Sequence, residues 1–236
     1  MSAASRKGQQ PKKRKAQGRA NTGLKLNSIE AITEGQDVAF ESYAKGNHIC
    51  MHGYAGTGKT FLALYMALKD YEEGKVRRIR IYRSPLAVRN IGFLPGTEEE
   101  KMEVYEDPYV AICSELYGRD DAYGILKANG AISFKTTSFI RGTTLDDTAI
   151  ILDEFQNGSL SEISSVITRV GMESKLYLCG DYRQSDLRKD DEKDGVHVVL
   201  KRLKKMTTMD LIDFGVEDIC RSPFVKEWIL TEFDDL

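Results

Sequence analysis

Gly53-Tyr54-Ala55-Gly56-Thr57-Gly58-Lys59-Thr60 has the spacing G-x-x-x-x-G-K-[ST] of a loop that cradles phosphate. His48-Ile49-Cys50-Met51-His52 precedes it and reads as a buried strand; Phe61-Leu62-Ala63-Leu64-Tyr65-Met66-Ala67-Leu68 follows it and reads as a helix. The chemistry needs that context. Glycines let several backbone N–H groups converge on one anion, and the helix adds the positive end of its dipole. Lys59 is then placed to reach the β- and γ-phosphates of a nucleotide such as ATP, and Thr60 to ligate Mg²⁺. Gly53, Ala55, Gly56, Thr57, Gly58, Lys59, Thr60 and Phe61 form the expected nucleotide-binding set. The competing reading, a glycine-rich turn that matches by chance, is disfavoured by the strand and helix on either side.

Thr148-Ala149-Ile150-Ile151-Leu152-Asp153 is an apolar run ending in an acid, the pattern of a central parallel strand. Asp153 and Glu154 therefore fall at its carboxyl end, where ligands of such sheets bind. Asp153 is expected to hold Mg²⁺ through water, and Glu154 to polarise a water for attack on the γ-phosphate. Two solvated acids at a helix start are the plainer alternative. Lys175-Leu176-Tyr177-Leu178-Cys179-Gly180-Asp181 reads as another buried strand, leaving through Tyr182-Arg183-Gln184. Gln184 is a candidate to hydrogen-bond the γ-phosphate or the attacking water, with Asp181 orienting it or coupling to a neighbouring strand. The plainer alternative assigns Gly180 and Asp181 to turn geometry.

Outward from these segments, a helix is expected from about Gly35 to Ala44, stopped by Gly46, with Ser28 capping an earlier helical turn. Arg78 to Arg83 alternates as a strand. Residues 86–97 form a loop, and Glu98 to Tyr117 a helix that breaks around Asp107-Pro108. Ile132 to Thr136 is a short strand. Ser159-Leu160-Ser161-Glu162 is a capping box that opens a helix ending near Gly171. A helix from about Gly195 to Lys204, a strand around Leu211 to Phe214 and a final helix with Pro223 in its first turn complete the chain. This alternation predicts an α/β fold, a mostly parallel sheet covered by helices on both faces.

At 236 residues the chain is long enough for a full core, and a formal net charge of −2 conceals an asymmetry. Residues 1–25 hold eight basic residues and no acidic one, leaving 26 basic against 36 acidic residues and a net of −10 for the rest. Residues 1–26 are expected to be a disordered basic tail that either holds nucleic acid through phosphate contacts or keeps the chain soluble; residues 27–236 form the ordered domain. No apolar run approaches a membrane span, so no membrane partner is expected. Cys50, Cys113, Cys179 and Cys220 are scattered without a CxxC pair and read as reduced residues of a cytoplasmic protein. His48, His52 and His197 lack metal-ligand spacing.

Across the whole ordered chain the sequence resembles the PhoH family of ATPases, which look like the first RecA-like domain of superfamily 1 helicases. The resemblance is carried by Gly53–Thr60, Arg83-Ser84-Pro85-Leu86-Ala87-Val88, Ile91-Gly92-Phe93-Leu94-Pro95-Gly96 and Phe139-Ile140-Arg141-Gly142-Thr143-Thr144-Leu145. Ile150 to Asn157, Thr168 to Gly171, Gly180 to Gln184 and Arg221-Ser222-Pro223 continue it. Phe155 stands where the family usually has Ala, and Ser222 where His is usual. The compact size resembles a phage-encoded member, which would act in the host cytoplasm.

The resemblance implies a single RecA-like P-loop NTPase domain that binds ATP and Mg²⁺ and hydrolyses ATP. It implies that Gln36 reads the adenine edge, where an amide pairs with both a donor and an acceptor. It makes Arg83 and the loop after it a contact for single-stranded nucleic acid. Arg141, Arg169, Arg183 and Arg221 become candidates for stabilising γ-phosphate charge, with Arg221 the arginine finger offered to a neighbouring subunit. The partners implied are RNA or single-stranded DNA and further copies of the chain, as a hexamer, because one RecA-like domain supplies one wall of a helicase cleft. Two other functions compete: a nucleotide-dependent regulatory switch without unwinding, and a small-molecule phosphotransferase.

Overall fold

Six segments pair into one sheet in the computed structural model, which describes residues 22–84, 103–140, 142, 144–181 and 190–234. They are β1 (His48–Gly53), β2 (Arg78–Arg83), β3 (Ile132–Thr136), β4 (Thr148–Asp153), β5 (Lys175–Gly180) and β6 (Met209–Phe214). Their order is β3-β2-β4-β5-β1-β6, and every neighbouring pair is parallel. Helices α1 (Glu34–Lys45), α2 (Lys59–Glu72), α3 (Asp107–Tyr117), α4 (Ala122–Ala128), α5 (Leu160–Ile167), α6 (Asp190–Leu203) and α7 (Pro223–Asp234) belong to the same body.

The period-two geometry of a strand divides the core in two. Ile49, Met51, Ile79, Ile81, Ile151, Tyr177 and Cys179 face a cluster shared with α1 to α4. Cys50, Tyr82, Ile150, Leu152, Leu176 and Leu178 face a second cluster completed by α5 and α6. All six residues of β4 and of β5 are buried, which is why those segments read as continuous apolar runs. The expected α/β class, a parallel sheet clad by helices on both faces, is the fold observed.

Local signals explain most boundaries. Gly46 closes α1 in the left-handed conformation, at φ 86°. The capping box at α5 is formed in both directions: Glu162 N–H donates to Ser159 Oγ (3.3 Å) and Ser159 N–H to Glu162 Oε2 (2.8 Å). Several expectations change. No helical turn forms at Ser28; Thr33 is the residue that caps α1, its hydroxyl accepting from Gln36 N–H (3.4 Å). Packing begins before residue 27, since Leu24 and Leu26 lie against the first cluster and Asn27 N–H donates to Leu116 O (2.9 Å). α4 is an additional helix, short and containing Gly124. α6 starts at Asp190, five residues earlier than expected, and α5 ends at Ile167 rather than near Gly171. The expected loop 86–97 and the first part of the helix from Glu98 lie outside the described residues, as does most of the basic tail; the turn at residues 104–106 sits just before α3, whose first turn contains Pro108.

His48 ties the start of β1 to β5: its Nδ1 accepts from Leu176 N–H at 3.1 Å. Burial, with the charge of Lys175 assisting, holds this imidazole below the ordinary histidine value. The neutral form is thus favoured in the folded state, so stability is full above the unfolded histidine pKa of about 6.5 and declines as pH falls from there toward the folded value. Urea unfolding midpoints at pH 7.5 and 5.5 should differ in that direction, and His48→Asn, which retains an acceptor and cannot protonate, should shrink the difference.

Candidate nucleotide site

The phosphate-binding loop lies between β1 and α2 at the carboxyl rim of the sheet, and its glycines are there for close approach. Gly53 (φ 122°) carries no Cβ because one would run into the backbone of Phe214 on β6. Gly56 (φ 74°) has Arg221 where a Cβ would come within 2.7 Å of its Cγ, and Gly58 (φ 86°) is the residue before α2. Positive φ at these positions is inexpensive only for glycine. The loop is secured from outside: Tyr54 N–H donates to Phe214 O (3.0 Å) and Cys220 N–H to Gly56 O (2.9 Å). Inside it, the Thr57 hydroxyl donates to Tyr54 O (3.0 Å), and the Lys59 ammonium donates to Tyr54 O (2.6 Å) and Gly53 O (3.0 Å). Burial pulls Lys59 below the ordinary lysine value, opposed by the charges of Asp181, Glu154 and Asp153.

The two acids sit where the sequence put them, at the end of β4, and their surroundings differ. Asp153 is 1% exposed. Its Oδ1 accepts from the Thr60 hydroxyl (2.7 Å), and its Oδ2 from Tyr109 (2.8 Å) and from Arg83 Nη2 (2.9 Å) and Nε (3.2 Å). Burial works against the charge of Arg83, but Asp153, together with Tyr109 and Glu154, outweighs it and raises the guanidinium above its usual value. Glu154 adopts φ 52°, a left-handed conformation uncommon for a residue with a side chain. Its carboxylate, 42% exposed, accepts from Gln156 Nε2 (2.6 Å) and lies 3.9 Å from Arg83. Burial first, and Asp153 second, raise Glu154 above the usual carboxylate range, against the pull of Gln156, Arg83 and Lys59. Gln156 Oε1 in turn accepts from Asp181 N–H (3.1 Å), so Asp181 couples β5 to β4 through its backbone.

These groups open onto a cleft of about 780 Å³ lined by Gln36, the loop from Ala55 to Phe61, Pro108, Ala111, Ile112, Glu115, Glu154, Asp181, Cys220 and Arg221. Its size suits a nucleotide. Gln36, Ala55, Gly56, Thr57, Gly58, Lys59, Thr60, Phe61, Glu154 and Arg221 thus share one cleft; Gly53 supports it from below, and Asp153 is joined to it through Thr60. Arg221 borders the cleft of its own chain, beside Gly56. Gln184, Arg183 and Arg141 lie outside the described residues. Among the described residues no group of three or more His, Cys, Asp or Glu could hold a metal ion by itself. Thr60 and Asp153 instead offer the sparse donor set that suits Mg²⁺, which keeps water and takes phosphate oxygens together with one or two carboxylates. Tyr109, Gln156 as a strut, and Asp218 went unrecognised as site residues. Asp218 accepts from Gly35 N–H (2.9 Å) and Gly215 N–H (2.8 Å), joining the start of α1 to the segment that leads to Arg221.

With this geometry in hand, the chain matches the family described as PhoH-like protein over residues 28–233. It is similar to the PhoH-like protein of Bacillus subtilis (strain 168), 32% identical over 206 residues, covering 87% of this chain and 64% of that one. It is also similar to the PhoH-like protein of Mycobacterium leprae (strain TN), 33% identical over 178 residues, covering 74% and 50%. The chain therefore spans about half to two-thirds of the length of these relatives. Among solved structures, the large terminase of a thermophilic bacteriophage in complex with ADP aligns with a TM-score of 0.49 at 14% identity, covering 83% of this chain and 48% of that one. No helix among the described residues is long and apolar enough to cross a membrane.

Gln36 is 6% exposed and uses both ends of its amide within the protein. Its Oε1 accepts from Ile32 N–H (3.1 Å), and its Nε2 donates to Thr57 O (3.2 Å) and lies 3.4 Å from Cys220 Sγ. The side chain ties the phosphate loop to the segment before α1. Gln36→Ala removes both ties, each worth about 1 kcal/mol. It should weaken binding of a fluorescent ADP analogue about tenfold, roughly 1.4 kcal/mol, with calorimetry showing only a modest loss in Tm.

Proposed function

The chain belongs to the PhoH family, and from that premise we propose that it binds ATP with Mg²⁺ and hydrolyses it, using turnover to act on RNA or single-stranded DNA as an oligomeric, helicase-like motor. The observation that carries the ATPase reading is the 2.7 Å bond between the Thr60 hydroxyl and Asp153 Oδ1, with Glu154 one residue on at the mouth of the same cleft. That juxtaposition brings together a phosphate cradle, a metal-binding pair and a base.

Each role follows from position. The loop N–H groups and Lys59 take the phosphates; Lys59 must leave the carbonyls of Gly53 and Tyr54 to do so, an exchange of one set of acceptors for another. Thr60, and Asp153 through water, would hold Mg²⁺, and the ion would supply charge neutralisation at the phosphates. Glu154, whose carboxylate is elevated yet reachable by solvent, takes the proton of the attacking water. Gln156 fixes its orientation. Gln184, outside the described residues, is the residue that the sequence offers for contact to the γ-phosphate or to that water. Arg221 adds positive charge beside Gly56, to its own nucleotide or across a subunit boundary.

For the motor, one sheet supplies one wall of a helicase cleft, and a ring of copies, a hexamer in this reading, supplies the other. Exposed apolar side chains on α7, Phe224 and Trp228, follow directly after Arg221 and fit a neighbour there. The basic stretch of residues 1–25 supplies phosphate contacts to nucleic acid. The four free cysteines suit a reducing compartment, the cytoplasm.

Lys59→Ala should lose nucleotide affinity. Glu154→Gln keeps the shape and loses the base, so it should bind ATP and turn over at least about a hundredfold more slowly; normal turnover in that variant removes Glu154 as base. An ATPase assay with and without single-stranded RNA and DNA, on protein of measured oligomeric state, tests the motor. Stimulation by either strand in an oligomer is expected; a flat response in a monomer leaves the nucleotide-dependent switch as the function. Deletion of residues 1–25 should weaken nucleic-acid binding and flatten its dependence on salt.

A further inference from the structure

Tyr109 is 0% exposed, yet its hydroxyl reaches a charged group at the heart of the nucleotide site. A carboxylate has about four lone-pair positions, two on each oxygen. Asp153 fills them unevenly. Oδ2 accepts three donors, the Tyr109 hydroxyl at 2.8 Å and Arg83 Nη2 and Nε at 2.9 and 3.2 Å, whereas Oδ1 accepts one, the Thr60 hydroxyl at 2.7 Å. The phenol cannot drift from this aim. Its ring is packed 5.7 Å from that of Phe134 on β3, and the Arg83 guanidinium lies 5.6 Å from its centroid on the other contact. Tyr109 also belongs to α3, whose Pro108, Ala111 and Ile112 line the cleft. One helix therefore walls the nucleotide and grips the buried carboxylate.

We propose that Tyr109 is a positioning residue for the metal: with Arg83 it saturates Oδ2 of Asp153 and leaves Oδ1, beside Thr60, as the oxygen turned toward Mg²⁺. The proposal rests on the ATP–Mg²⁺ reading above. Loss of the hydroxyl leaves Arg83 alone to fix Oδ2, removes the donor that comes from α3, and so lets the carboxylate rotate between two orientations and split its contact with the metal. Partners of a ligating carboxylate commonly contribute ten- to a hundredfold in metal affinity.

The test uses the full chain and a fluorescent N-methylanthraniloyl ADP, titrated with Mg²⁺ at fixed probe and, separately, in EDTA. Tyr109→Phe keeps the ring and removes one oxygen. Its Mg²⁺ midpoint should rise about tenfold, with binding in EDTA unchanged. Arg83→Lys keeps the charge but cannot bring two N–H groups to one oxygen; it should move the midpoint in the same direction, and it carries the test if Tyr109→Phe does not fold. Cys113→Ala, buried one turn further along α3, loosens the helix without touching the proposed device; it should lower Tm and leave the midpoint in place. An unmoved midpoint in folded Tyr109→Phe, or an equal shift in Cys113→Ala, overturns the proposal while the ATPase reading stands. Wild-type protein that shows no Mg²⁺-dependent binding of the probe overturns the ATPase reading, and this one with it.

Discussion

A carboxylate buried at the carboxyl end of β4 has to be paired, because an uncompensated charge in the interior costs several kcal/mol or more. Asp153 is paired by three elements distant in sequence: Thr60 on α2, Arg83 on β2 and Tyr109 on α3. That requirement fixes much of the surrounding structure. β2 must lie beside β4 for Arg83 to reach, as its register from Arg78 opposite Thr148 to Tyr82 opposite Leu152 ensures. α2 must begin at Lys59 so that Thr60 falls in its first turn. α3 must pack with Tyr109 inward, against Phe134. That buried carboxylate is thus the hub at which four segments of the fold meet.

The phosphate loop depends on a second convergence. Its glycines permit the curl, but the curl is held by backbone contacts from Phe214 and Cys220 and by the Gln36 amide. All three supports lie near an edge of the sheet, on β6 and the segments flanking it. Asp218 binds that group together by accepting from Gly35 and Gly215 at once. The loop is consequently embedded between α1 and the chain leading to Arg221, and a change in either reaches the loop with only one or two hydrogen bonds between.

Legibility in the sequence follows the range of the forces involved. β4 and β5 announced themselves because burial on both faces demands apolar residues at every position. The phosphate loop and the α5 capping box were equally plain, since their determinants lie within a few residues of one another. α4 was missed because it is short and carries Gly124, so neither propensity nor period marks it. The start of α6 was missed because Asp190 to Asp194 offers no apolar stripe to count. Tyr109 is separated from Asp153 by 44 residues, and Gln36 from Thr57 by 21. Nothing local distinguishes a tyrosine that grips a carboxylate from one that fills a core.

Gly180 shows how a correct feature can have a different cause. Beside Asp181 it reads as a turn glycine, yet it is not among the glycines at positive φ. A Cβ there would collide with Gln156 Oε1 and approach Phe155 Cδ1 to 2.8 Å. The glycine is required by what packs over it: Phe155, 0% exposed, and the amide that links Glu154 to the N–H of Asp181. The bulk of Phe155 therefore falls on the backbone of β5 and not on a free surface. Glu154 stands at φ 52° immediately before this contact. Its left-handed turn is what swings the chain so that Phe155 enters the core while the acid stays at the cleft, and the absence of a side chain at Gly180 is what leaves room for both.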